Sequence, residues 1–336
     1  MIRPQKLNPG DTIGIITPSW GGAGFFPHRT QRGVQKLKSM GYEIIIGEHA
    51  LNIFGFISDS PENRAADIHS MFLNSQVKAI IASIGGNHSN HLLPLLDFDL
   101  IKANPKIFIG FSDITVLNVA IWQKTGMITF NGPALLTDFA EYPEMPVYTQ
   151  EYFLKTVSNT NPPGSIKPST WWTEEFLDWE KKLDLTRPRE SIPSSGWVWL
   201  KPGKTSGQLV GGCLGSMQHL RGTPYWPDLN DKILFLETSE EKPGPATVDA
   251  TLMDYQNMGV FDQISGLILG RPMYYSPEEK KELLDILINR TLKFDFPIIA
   301  DMDFGHTSPQ FTLPIGCQAS IDSAKKEFCI LEPAVC

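Results

Sequence analysis

The chain has 336 residues, a net charge of −8, and 41% hydrophobic against 20% charged residues. At ~150 residues per domain this suggests about two domains, large enough to bury a core without disulfide or metal staples and too apolar for a disordered chain. The acidic balance without a basic run excludes a broad nucleic-acid surface, and no stretch approaches the ~18 consecutive apolar residues of a membrane span.

Met1-Ile2-Arg3-Pro4-Gln5-Lys6 reaches Pro9-Gly10-Asp11 without an apolar segment, so no signal peptide is expected. Thr12–Ile16 then reads as a buried strand after a Pro-Gly-Asp turn. Residues 28–40 have helical spacing and stop at Gly41; Ile44-Ile45-Ile46 is the next strand. Ser60-Pro61-Glu62 opens a helix, with Ser60 as cap and Pro61 in its first turn. Strands over 78–84 and 107–110 follow, the first running into Gly85-Gly86, the second into Phe111-Ser112-Asp113 and a helix to about Gln123. This strand–helix rhythm predicts an α/β fold with a parallel sheet covered on both faces, an N-terminal α/β domain over residues 1–157.

Residues 158–206 differ in character. They are rich in proline and mixed charge and carry five of the eight tryptophans: Trp171, Trp172, Trp179, Trp197 and Trp199. We read a long, partly irregular connection, which is usually functional when ordered. Residues 207–336 return to regular elements and predict a second, smaller α/β domain. Strands end at Gly211-Gly212, Leu236-Glu237 and Gly270; helices cover 245–258 and 276–291. Pro297-Ile298-Ile299 leads to Asp303-Phe304-Gly305-His306, and 316–332 reads as a β-hairpin. Cys213, Cys317, Cys329 and Cys336 form no C-x-x-C pair, which fits free thiols in a reducing cytoplasm.

Several polar residues stand at strand ends, where open parallel sheets bind ligands. Ser112 sits on a strand-to-helix turn that resembles a nucleophile elbow without its final glycine; as a bland alternative it is a helix cap. Gly85-Gly86 lets backbone approach an anion, or is an ordinary turn. His88 and His91 have metal-pair spacing but no evident third ligand, so no metal is expected. Glu237 closes a strand, whereas Glu237, Glu240 or Glu241 also reads as solvated charge. His306 follows a strand as base or as structural histidine. The order Ser112, Glu237, His306 suits a hydrolase triad. The tryptophans are either stacking platforms or pins for the connection.

These residues carry a resemblance. Pro9-Gly10-Asp11, Gly85-Gly86-Asn87, Gly110-Phe111-Ser112-Asp113-Ile114-Thr115, Gly211-Gly212, Leu234-Phe235-Leu236-Glu237, and Gly305-His306-Thr307 with Leu313-Pro314-Ile315-Gly316 together resemble the serine LD-carboxypeptidase family along nearly the whole chain. That family holds muramoyl-tetrapeptide carboxypeptidases and microcin C self-immunity (MccF-like) proteins. The resemblance implies Ser112 as nucleophile, His306 as general base, Glu237 as its orienting partner, and an oxyanion hole from the N–H groups of Gly86 and Asp113. It implies a site between two domains, no metal or cofactor, and a homodimer. The sequence departs from the family in carrying Cys213 where asparagine is common, and Ser83-Ile84 where the cell-wall enzymes often have arginine. The length of the connection and its Trp-Thr-Glu-Glu…Asp178-Trp179 stretch resemble the MccF-like subgroup. There a tryptophan stacks on adenine; Trp179 and Asn87 are the substrate-side candidates. Lys201, Lys204 and Lys242 are the basic groups considered for an anionic ligand.

The expected function is cytoplasmic hydrolysis of the amide-type bond in aminoacyl- or peptidyl-nucleotide conjugates such as processed microcin C, conferring resistance. The alternatives are release of terminal D-alanine from a murein tetrapeptide and, from another class, a non-catalytic ligand-binding protein.

Overall fold

The computed structural model describes all 336 residues. The first 131 residues supply β1 (Thr12–Ile16), β2 (Glu43–Ile46), β3 (Val77–Ala82), β4 (Ile107–Gly110) and β5 (Thr129–Asn131). They pair in parallel in the order β5-β4-β3-β1-β2. Every residue of β4 is buried, which is why it is an unbroken apolar run and not an alternating one. Helices Pro27–Ser39, Pro61–Leu73 and Thr115–Thr125 link the strands. Ser60 caps the second, accepting from the Asn63 N–H at 3.2 Å with Pro61 in the first turn, as its sequence predicts.

Residues 158–206 are more regular than expected. They supply β6 (Gly164–Ile166), the two-stranded ribbon β7 (Trp171–Trp172) and β8 (Ile192–Pro193), and β9 (Val198–Lys201). Then come β10 (Lys204–Cys213), β11 (Lys232–Glu237), β12 (Gly266–Gly270), β13 (Ile298–Met302), β14 (Leu313–Ile315), β15 (Gln318–Asp322) and β16 (Glu327–Ile330). The second sheet runs β6-β16-β15-β10-β11-β12-β13-β9, with β10 to β13 parallel and the flanking strands antiparallel. The crossovers are helices Pro245–Asn257 and Pro277–Thr291, the latter opened by a reciprocal Ser276–Glu279 capping box.

One strand crosses between the sheets. β14 lies antiparallel to β5 at the edge of the first sheet, pairing Leu313 with Asn131 and Ile315 with Thr129. A single apolar cluster runs from Ile13 and Ile109 in the first sheet to Phe235 and Ile299 in the second. The shared core fixes the sheets against each other, and the carboxyl ends of β3, β4, β11 and β13 converge on one cleft.

Candidate active site

The turn after β4 is held in a costly conformation. Ser112 has φ = 60°, a left-handed backbone that a residue with a Cβ rarely adopts. The turn lifts its hydroxyl out of the sheet, and the helix Thr115–Thr125 begins directly behind it. Gly85 faces the turn so closely that a Cβ there would lie 2.8 Å from Ser112 Oγ and 3.1 Å from the Asp113 N. Asp113, fully buried, ties the two turns together. Its Oδ2 accepts from Ser19 Oγ at 2.6 Å, His88 N at 2.9 Å and Ser89 N at 2.8 Å. The N–H groups of Gly86 and Asp113 have no acceptor in the protein.

His306 reaches Ser112 from the second sheet. Its Nε2 stands 3.0 Å from Ser112 Oγ and its Nδ1 2.7 Å from Glu237 Oε2. Glu237 is wholly buried at the end of β11. Gly305 must be glycine: φ is 101°, and a Cβ would meet Glu237 Oε2 at 2.7 Å. A second carboxylate closes on the same ring, with Glu240 Oε2 2.9 Å from Nε2. Burial opposes charge on His306, but Glu237 and Glu240 outweigh it and raise the imidazole to about 10. Glu240 is itself partly desolvated, yet its bond to His306 holds it down at about 2.

The cavity above these residues has a volume of about 610 Å³. One wall is aromatic: Trp179 stands edge-on to Phe26, with ring centroids 5.4 Å apart, and beside Phe176 at 5.5 Å. The Arg29 guanidinium lies 4.2 Å over the Trp179 ring, so one face of that ring is already occupied. Arg29 is buried and donates to Asp184 Oδ2 at 2.8 Å; Arg32 donates to the same oxygen at 2.5 Å. These bonds clamp the connection onto the helix Pro27–Ser39. Asn87 lies at the mouth, donating to Glu241 Oε1 at 2.8 Å.

Ser112, Glu237 and His306 therefore meet, with Gly86 and Asp113 beside them, while Trp179 and Asn87 line the same cavity. Other expectations are corrected. Lys201 donates to the carbonyls of Thr291 and Phe294, Lys204 pairs with Asp322 and Lys242 with Glu279. The basic groups lining the cavity are instead Arg29 and Arg189, the latter 2.7 Å from Glu141. No sequence pattern marked either. Cys213 lies outside the cavity lining, buried beside Glu237, and its N–H donates to Thr115 Oγ1 at 3.0 Å. Burial, then the charge of Glu237, pushes its thiol well up. His91 Nδ1 accepts from Arg64 at 3.3 Å, and no group of three potential ligands could hold a metal.

The sequence matches the LD-carboxypeptidase N-terminal domain over residues 13–132 and its C-terminal domain over residues 206–321. It is 33% identical over 336 residues to the microcin C7 self-immunity protein MccF of Escherichia coli, covering 98% of this chain and 96% of that protein. A probable murein peptide carboxypeptidase of Bacillus subtilis is 30% identical over 327 residues, covering 96% and 92%. The structure of MccF in complex with aspartyl sulfamoyl adenosine superposes with a TM-score of 0.93 at 31% identity, covering both chains completely.

Proposed function

The chain belongs to the LD-carboxypeptidase family, and from that premise we propose that it is a serine hydrolase whose triad is Ser112, His306 and Glu237. We assign it to the cleavage of the amide-type bond in aminoacyl- or peptidyl-nucleotide conjugates. The observation that carries the reading is the continuous Ser112–His306–Glu237 hydrogen-bonded series at the base of an aromatic-walled cavity. The likeness to MccF, solved with aspartyl sulfamoyl adenosine, supports the choice of substrate.

In this reading Ser112 Oγ attacks the scissile carbonyl as its proton passes to His306 Nε2. Glu237 holds Nδ1–H and stabilises the imidazolium. The oxyanion is received by the N–H groups of Gly86 and Asp113, each such donor typically worth about 3 kcal/mol. Collapse breaks the C–N bond, and His306 returns the proton to the leaving nitrogen. Water then attacks the acyl-enzyme with His306 again as base, releasing the acid and restoring Ser112. Trp179, on the aromatic wall of the cavity, stacks the base.

The test is hydrolysis followed by mass spectrometry, with aminoacyl sulfamoyl adenosines and a murein tetrapeptide side by side. Cleavage of the adenylate analogues, lost in Ser112→Ala and weakened chiefly through KM in Trp179→Ala, is the expected result. Cleavage of the tetrapeptide alone would overturn the nucleotide reading and favour murein recycling.

A further inference from the structure

The loop after β11, residues 238–244, carries two carboxylates across the cleft. Glu241 is bonded to Asn87 of the opposite turn. Glu240 is bonded to His306 Nε2, the nitrogen that also faces Ser112 Oγ. One imidazole nitrogen cannot donate to a carboxylate and accept from a hydroxyl together. While Glu240 holds Nε2–H, Ser112 has no base. Glu240 must therefore leave Nε2 before Ser112 can lose its proton.

Its surroundings suggest where it goes. The Glu240 side chain is 58% exposed, so leaving Nε2 does not require pulling it out of a packed core. It has no cationic partner in the protein except His306. Lys242 on the same loop is paired with Glu279, Arg29 with Asp184 and Arg189 with Glu141. Of the uncharged residues lining the cavity, Met273, Tyr274 and Phe111 offer Glu240 no cation. The carbonyl attacked by Ser112 must lie within bonding distance of Oγ, so the substituents of the acyl residue enter the space beside Glu240. An aminoacyl group with a free amine carries its ammonium on the carbon next to that carbonyl.

We propose that Glu240 recognises a cationic group on the acyl residue of the substrate, exchanging His306 for that cation as substrate binds. The inference rests on the aminoacyl-conjugate reading and goes beyond it in naming the acyl residue. The exchange ties recognition to activation: once the cation draws Glu240 away, Nε2 gives its proton to solvent, and the neutral nitrogen then accepts the proton of Ser112. Acyl residues with a blocked amine gain nothing from Glu240 when their side chain is neutral and are repelled by it when their side chain is acidic. Two sources of charge fit this chemistry, the α-ammonium and a basic side chain.

The experiment measures binding by calorimetry to the full-length Ser112→Ala protein, with and without Glu240→Gln. The three ligands are glycyl, N-acetylglycyl and N-acetyl-lysyl sulfamoyl adenosine. We expect at least one cationic ligand to bind about tenfold or more tightly than N-acetylglycyl, the span of a charge-assisted hydrogen bond. Tight glycyl binding identifies the α-ammonium as the source; tight N-acetyl-lysyl binding identifies the side chain. Glu240→Gln is expected to shrink the preference to about threefold or less. Equal binding of all three ligands, binding of none, or a preference that survives Glu240→Gln overturns the proposal. Hydrolysis by the unmutated protein is scored separately. Failure to cleave despite the binding preference counts against the proposed function, and cleavage without the preference counts against Glu240 alone.

Discussion

His306 is where the residue scale decides the chemistry. The charged groups facing its ring are Glu237 and Glu240, while Phe111 packs its edge at 5.1 Å. Both carboxylates favour the imidazolium, and the ring titrates near 10 against an ordinary value near 6.5. A general base must be neutral, so kcat/KM, which reports the free enzyme, should climb with pH across the range 6 to 9. Glu240→Gln removes one carboxylate and should move that rising limb toward acid; an unmoved limb would mean that Glu240 does not hold His306 in solution. The same shift has a stability sign. A raised histidine value stabilises the fold fully below ~6.5, and that stability is lost as pH rises toward about 10. Tm should therefore fall over this window, and His306→Asn should flatten the fall. Most of the effect belongs to buried Glu237, because the exposed Glu240 is screened by solvent. Ser112, Glu237 and His306 could be singled out in the sequence because each stands at or shortly after the end of an apolar strand, and the family resemblance grouped them. Glu240 was not: Thr238-Ser239-Glu240-Glu241-Lys242 has the composition of a solvated loop, and only the turn of the backbone aims one of its carboxylates inward.

At the scale of elements, the site depends on how two turns are joined. Asp113 sits on the β4 turn but spends one carboxylate oxygen on the loop after β3, through His88 and Ser89, and on the loop after β1, through Ser19. Asp113→Ala would strand the buried Ser89 N–H and the Ser19 hydroxyl, leave the His88 N–H only Ser19 Oγ, and let the Gly86 turn drift from the Ser112 turn. The expected cost is about 3 kcal/mol of stability and a ten- to hundredfold loss in kcat, larger than any change in KM; Asp113→Asn, which keeps an acceptor, should recover part of both. A loss confined to KM, measured with intact fold by circular dichroism, would assign Asp113 to substrate binding instead. A second joint braces the His306 loop. Asp303 accepts from Trp197 Nε1 at 2.7 Å and Ser169 N at 3.0 Å and pairs with Arg271, over which Trp172 lies at 5.0 Å. Two of the tryptophans in the connection are thus pins, and Trp179 is the one on the cavity wall. Periodicity located the strands of both sheets within about two residues where their apolar runs were unbroken. It missed the helix Val147–Val157, whose buried face includes Thr149 and Thr156 and so shows no clean apolar stripe. It also missed the β7–β8 ribbon, two residues a side and held by tertiary contacts.

For the whole molecule, the order of the chain matters less than its return. Ser112 belongs to the first sheet, Glu237 and His306 to the second, and seven residues after His306 the chain re-enters the first sheet as β14. Sequence reading could not foresee this, because Leu313-Pro314-Ile315 is short and its central proline argues against a strand. Proline is tolerated because β14 is an edge strand with an unpaired outer side. The return anchors the His306 loop to β5, next to the β4 turn that carries Ser112, so the two halves of the site share one mechanical frame. With the core continuous between the sheets, the two halves should also unfold together. Tryptophan fluorescence, dominated by the connection, and far-ultraviolet circular dichroism should give coincident urea transitions. Labelling of Ser112 by a fluorophosphonate should vanish in the same transition. Leu313→Ala, at a fully buried position, is expected to shift all three probes together to lower urea by about 2–4 kcal/mol and to reduce kcat by displacing His306. If the probes separate, with circular dichroism persisting after labelling is lost, the sheets are independent units and β14 is a tether between them, not part of a common frame.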